Sequence, residues 1–244
     1  MKAHTQDSHV HACTIHSHQN HPIRSDVVVI GVDEVGRGSL FGQMTVAAVI
    51  LDAALTGEFG LIDLVGTPIA TINDSKKLSA KKRALAYDTI RKISQSYAIV
   101  DIPAHIIDAI DIYQATLLGM RLAIESLIKL NNITPEHTCV IIDGNAAPTL
   151  SAAFAGHQSC IQTLIKGDGI HSSVACASIL AKVHRDTAMN EFANIYPDYH
   201  IDKHKGYASK AHRQAITEYG ILPEHRKSFN PMRTMLASEQ TELF

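Results

Sequence analysis

Four carboxylates at the ends of apolar runs are the residues of this chain whose types and spacing could do chemistry. VVVIGVDE (27–34) runs into Asp33 and Glu34, CVIID (139–143) ends on Asp143, and IQTLIKGD (161–168) repeats the plan with Asp168. Neighbouring strands lie ~4.8 Å apart, so side chains on adjacent strand ends reach a common point beyond the sheet. Carboxylates gathered there raise one another's pKa and need a counter-charge. An all-oxygen set suits a hard divalent cation, Mg²⁺ or Mn²⁺, and with no histidine or cysteine beside these acids in the chain zinc is disfavoured. Adjacent strand residues point to opposite faces, so Asp33 and Glu34 serve one site only where the strand ends or bends, which Gly36 permits. Asp186 lies one helical turn after Lys182 and pairs with it as an ordinary surface ion pair.

Between the first two strands, GVDEVGRG (31–38) almost spells a phosphate-binding loop, but Arg37 stands where that loop needs lysine and Gly38 where it needs a hydroxyl residue. It also misses the dinucleotide fingerprint, which needs glycine at 41 and finds Phe41. Gly36, Arg37 and Gly38 instead offer exposed N–H groups and a guanidinium beside the acids, suited to a phosphodiester. A plain hairpin turn accounts for the same three residues. Lys76 and Lys77, Lys166, His204-Lys205 and Arg226-Lys227 are local basic clusters that, with the aromatic Tyr207, could line a polyanion groove. The chemistry this suggests is metal-assisted phosphodiester hydrolysis, with two ions ~3.5–4 Å apart and no protein nucleophile.

These side chains must be positioned by a sheet. Strands are expected at 27–34, 44–51, 97–103, 139–143 and 161–168, and helical spacing runs over 105–130, 174–192 and about 209–219. A further helix enters at Ser79 as N-cap, with Leu85, Ile90 and Ile93 as its buried stripe. The expected architecture is α/β, with strands first and then helices and strands mixed on one sheet.

The chain has 244 residues, 45% of them apolar and 19% charged, enough for one large domain or two small ones with a real core. A net charge of -2 excludes a global basic field, so any polyanion site must be local. No stretch approaches ~18 consecutive apolar residues and no secretory signal is evident, so a cytoplasmic protein without a membrane contact is expected. Cys13, Cys139, Cys160 and Cys176 form no CxxC pair and are expected to be reduced, mostly buried thiols. Residues 1–24 carry six histidines among small polar residues and read as a disordered tail. Its His-x-His spacing can chelate a soft divalent ion loosely, but no catalytic role follows.

The motifs closely resemble those of the ribonuclease HII family, the bacterial type 2 ribonucleases H. GVDEVGRG (31–38), DSKKLS (74–79), IIDGN (141–145), IKGD (165–168), ASILAKVHRD (177–186), HKGY (204–207) and HRKSF (225–229) occur in the family's order. The resemblance implies a ribonuclease H-like fold, a mixed five-stranded sheet flanked by helices, over 25–235, with a helical C-terminal extension and a tail at 236–244. It implies endonucleolytic cleavage of the RNA strand in RNA/DNA hybrids and of single ribonucleotides embedded in duplex DNA, leaving 5′-phosphate and 3′-hydroxyl ends. In that family pattern Asp33, Glu34, Asp143 and Asp168 hold the metal ions. Gly36, Arg37 and Gly38 read the 2′-hydroxyl and its phosphate, Tyr207 packs on the adjoining deoxyribose, and Lys76 and Lys77 contact phosphates. Ser39, Phe41 and Gln43 stand where the family often has proline, alanine and proline.

The expected setting is removal of ribonucleotides from DNA by a monomer, with a replication clamp as a further contact. Three other readings compete: a hybrid-binding protein of the same fold without turnover, a metal-handling protein acting through the histidine tail, and a type 3 ribonuclease H.

Overall fold

Runs of β-branched residues make the sheet and small residues let a helix lie directly on it. The computed structural model describes residues 13–23, 26–72 and 78–241. Its strands are β1 Thr14–Gln19, β2 Val28–Val35, β3 Met44–Ile50, β4 Ser96–Ile102, β5 Thr138–Asp143 and β6 Ile161–Leu164. They form one sheet in the order β1-β4-β3-β2-β5-β6. Pairing is antiparallel from β1 through β4 and β3 to β2, and parallel from β2 to β5 to β6. The helices are α1 Ala80–Ile93, α2 Ala104–Ile110, α3 Ile112–Asn131, α4 Ser172–Ile195, the single turn α5 Ile201–His204, α6 Lys210–Tyr219 and α7 Met232–Thr241.

Alternation along the strands builds two cores, one on each face. Ile30, Val32, Val46 and Val100 face α3 and its Ile124 and Leu127, whereas Ala47, Val49 and Ile99 face α4. Helix α4 begins SSVACAS, and these small side chains bring its backbone onto β2: a β-carbon at Gly31 would sit 2.3 Å from the carbonyl carbon of Ser173. A third core joins Leu40 and Phe41 to Met189, Tyr199, Ile201, Ile216 and Met232, so the C-terminal helices pack on the loop after β2.

Several expectations are corrected. The sheet has a sixth strand, because Thr14–Gln19 of the expected disordered tail pairs antiparallel with the free edge of β4. Every residue of β1 is exposed, so its backbone ladder holds it and apolar burial does not. The segment 105–130 is two helices, interrupted at Asp111, whose φ of 67° breaks the first and whose carboxylate caps Gln114 N–H of the second. Ser79 caps α1 as expected, but Leu85 is exposed and only Ile90 of the proposed stripe is buried. Helix α7 runs through 236–241, where a C-terminal tail was expected. All four cysteines are free, and only Cys176 is fully buried. Among the described residues, no helix is long and apolar enough to cross a membrane.

Candidate active site

The carboxylates meet at the ends of the two central parallel strands. Register Val32↔Ile142 puts Asp33 and Asp143 at the next position of β2 and β5, on the face covered by α4. Asp33 is only 6% exposed, its Oδ1 accepts the N–H of Glu34 at 2.7 Å, and the Ser178 hydroxyl of α4 bonds it from above. Asp143 Oδ1 accepts the N–H of Gly167 at 2.7 Å, which draws the turn carrying Asp168 against it. Glu34 points to the other side of the strand, and the strand stops one residue later, before Gly36 with its φ of 90°.

Electrostatics couple three of these acids. Burial, followed by the charges of Glu34 and Asp143, holds the Asp33 carboxyl well above its usual range. Burial also raises Glu34, Arg37 opposes the shift, and Asp143 adds to it. Asp168 does not end a strand as the repeated plan expected. Lys166 adopts φ 60°, which breaks β6, and Asp168 lies buried in the short turn Gly167–Gly169 at the entrance to α4.

By donor type the acids fit a hard cation, and Glu34 Oε2 is buried with no protein hydrogen-bond partner, an acceptor left over for one. Their spacing is wide: among the described residues, the only three ligand atoms mutually within 4.8 Å belong to His16, Asp101 and His184.

Beside the acids, the loop from Gly36 to Gln43 is held by two buried arginines, Arg185 and Arg226. Arg185 of α4 donates from Nε to Gln43 O, from one terminal nitrogen to Lys205 O, and from the other to Ser39 Oγ and Phe41 O, at 2.8–3.1 Å. Arg226 donates to Gly42 O and Arg37 O. Arg226 was expected in a surface basic cluster and is instead fully buried, with its guanidinium pushed down to about 9 by desolvation and by Arg185. Lys166 and Lys227 of those clusters are exposed, while Lys205 bonds Asn190.

The same loop meets the HKGY turn. Ser39 bridges Tyr207 strand-fashion, Leu40 N–H bonds Gly206 O, and the Arg185 guanidinium lies 5.5 Å from the Tyr207 ring centre. The three departures from the family pattern are all used: Ser39 Oγ and Gln43 O receive Arg185, and Phe41 fills the third core edge-on to Phe192 and His225. Arg37 keeps its side chain half exposed and reaches Glu34 at 3.4 Å, and a β-carbon at Gly38 would meet nothing within 4 Å. Lys182 and Asp186 form the expected ion pair at 2.8 Å. Lys76 and Lys77 lie outside the described residues.

This sheet is similar to solved structures. The ribonuclease H2 of Pyrococcus horikoshii OT3 superposes with a TM-score of 0.67 at 21% identity, covering 88% of this chain and 99% of that one. The RNase HII in the PCNA:RNase HII complex of Archaeoglobus fulgidus gives 0.59 at 20% identity, over 84% and 96%. Those likenesses define the fold, that of the ribonucleases H. In sequence, residues 30–232 match the profile of ribonuclease HII, and the chain is 45% identical over 224 residues to the ribonuclease HII of Psychrobacter arcticus, covering 86% of this chain and 78% of that protein. The chain belongs to the ribonuclease HII family, and it is an endonuclease of the hydrolase class.

Proposed function

We propose that this chain cleaves the RNA strand of RNA/DNA hybrids and nicks duplex DNA on the 5′ side of a single embedded ribonucleotide, leaving 5′-phosphate and 3′-hydroxyl ends. One adjacency carries this reading: Asp33 and Glu34, coupled to Asp143, lead after Val35 into the glycine-arginine turn, and the next residue, Ser39, bridges Tyr207. Asp33, Glu34, Asp143 and Asp168 would hold a pair of divalent cations, Mg²⁺ or Mn²⁺. Bound there, the cations would supply activation of the attacking water and stabilisation of the leaving 3′-oxygen.

The chain's own residues do the recognition. The open space beside Gly38 admits a phosphate and 2′-hydroxyl to the backbone, and the half-exposed Arg37 supplies a cation at the same edge. Tyr207, 36% exposed, presents its ring to the deoxyribose beyond the junction. Arg185 and Arg226 are positioning residues, since both are buried and act through the loop they hold. Lys76 and Lys77 keep the phosphate contacts that the family resemblance implies. The setting we propose is ribonucleotide removal from DNA by a cytoplasmic monomer, with a replication-clamp contact through the C-terminal segment of the kind the Archaeoglobus complex is named for.

The test is a DNA duplex carrying one ribonucleotide, incubated in Mg²⁺ and in EDTA, with product ends mapped. The expected result is a Mg²⁺-dependent 5′ nick with a 3′-hydroxyl end, nearly abolished by Asp143→Asn. Tyr207→Ala should slow this reaction more than it slows cleavage of a long hybrid. Cleavage of the long hybrid alone would replace the reading with a type 3 enzyme, and cleavage of neither with a hybrid-binding protein.

A further inference from the structure

The histidines N-terminal to β2 have no part in that reading, yet the fold gives His16 neighbours that could share an ion with it. Residues two apart on a strand share a face, and in β1 the face bearing His16 is the one that Ile99 and Asp101 present toward α4. There the His16 ring lies 5.6 Å from the ring of His184, centre to centre. His184 Nε2 in turn lies 2.8 Å from Asp101 Oδ2. One ligand atom from each of the three residues falls within 4.8 Å of the other two.

We propose that His16, Asp101 and His184 form a second metal site, one for a borderline transition ion such as Zn²⁺. Two imidazoles and one carboxylate are the donor set such ions take, in contrast to the all-oxygen set around Asp33. A tetrahedral ion with ligand bonds of ~2.0–2.2 Å places its ligand atoms ~3.3–3.6 Å apart, and here His184 and Asp101 are 2.8 Å apart with all three ligand atoms within 4.8 Å of one another. Small side-chain rotations therefore suffice. Thr45 Oγ1 donates to Asp101 Oδ1 at 2.5 Å, which fixes the carboxylate with Oδ2 turned to the imidazole, the outer support that metal-binding carboxylates have.

Access and position complete the argument. His16 is exposed and the other two are half-buried, so an ion enters from solvent and keeps its fourth position there. In the cross-strand row Asp33–Ala47–Ile99–His16 the two ends are three strand spacings apart, roughly 14 Å. The sites share a sheet face and no residue. An ion at His16 would replace the proton between His184 and Asp101 and tie the edge strand β1 to β4 and α4. Its effect is then on stability, by binding the folded chain in preference to the unfolded one.

The test is a calorimetric titration of the full-length, chelator-treated protein with ZnCl₂ in excess Mg²⁺, paired with thermal unfolding. One tightly bound Zn²⁺ per chain and a raised melting temperature are expected. His16→Gln and His184→Gln should each weaken that binding on the order of tenfold or more, and remove the thermal gain. His16 is an exposed strand residue, so its variant keeps the test decisive if His184→Gln disturbs the helix. Absence of saturable Zn²⁺ binding, or unchanged affinity in His16→Gln, overturns the site; in the second case the ion sits on the other N-terminal histidines.

Discussion

The backbone of Gly36 lies against the guanidinium of Arg185 so closely that a β-carbon there would come within 2.3 Å of Arg185 Nε. Four hydrogen bonds pin that guanidinium, and the glycine φ is 90°, so neither side can yield cheaply. Gly36→Ala should therefore destabilise the fold by about 2–4 kcal/mol in urea unfolding. It should also misplace Arg37 and Gly38, with a larger loss on a single embedded ribonucleotide than on a long hybrid. A stability within about 0.5 kcal/mol of wild type would mean that the loop is not held as described.

Neutralising Asp33 should stabilise the fold and abolish cleavage. Its folded pKa lies above the unfolded value, so ionisation at neutral pH works against the fold, and the sign is fixed: this contribution favours folding at low pH and is lost as pH rises through the folded pKa. A neutral Asn in its place relieves the repulsion from Glu34 and Asp143. In chelator at pH 7.5, Asp33→Asn is expected to unfold at higher urea than wild type, by about 1 kcal/mol or more, while Mg²⁺-dependent cleavage falls below detection. A variant less stable than wild type under those conditions would contradict the coupling of the acids.

The histidines under Tyr207 make the fold pH-sensitive in the opposite sense. His225 Nδ1 accepts the Leu222 N–H, so its Nε2–H is directed at His212 Nε2 at 3.1 Å, and His212 Nδ1–H donates to Tyr207 O. Both rings are neutral in this chain of bonds, and burial, first of all, pushes His212 down to about 4 and His225 down to about 3. Folded values below the unfolded one give stability that is full above about pH 6.5 and declines as pH falls toward 4, with a slope of about 1.4 kcal/mol per pH unit for each proton. Asp33 slopes the other way, so the comparison must be internal. Urea unfolding from pH 7.5 to 5 should show His225→Asn weaker at pH 7.5 but flatter with pH; an equally steep profile would clear these histidines.

What the sequence revealed and what it hid follow from the range of the forces involved. Asp33 and Asp143 were legible because apolar β-branched runs end at them and parallel pairing aligns such ends. Arg185 and Arg226 were not, because a charged side chain reads as solvated unless its partners are known. Those partners are carbonyls more than 140 residues away for Gln43 and more than 180 for Gly42. Strand β1 was illegible for another reason: TIHSHQ buries nothing, and what makes it a strand is the open edge of β4, a property of a different segment. Asp168 fell between these cases, its position right in the chain but set by the left-handed turn at Lys166.

That edge strand is the last point at which fold and function can be separated. Besides its ladder, β1 is fastened by Ser96 Oγ donating to His18 O and by Asn20 Nδ2 donating to Arg91 O and Ser94 O, all away from Asp33 and Asp143. Deleting residues 1–20 would strip the cover from β4, a strand with six of seven residues buried, and leave its N–H and C=O groups open to pairing with another copy. The truncated chain should melt several degrees lower, as a loss of about 1–2 kcal/mol does in a domain of this size, and should aggregate sooner on heating. Its rate on a ribonucleotide-containing duplex at low temperature should stay within about twofold of full length, a difference near 0.4 kcal/mol. A truncated enzyme that keeps its stability but loses cleavage would show instead that the histidine-bearing strand belongs to the substrate site.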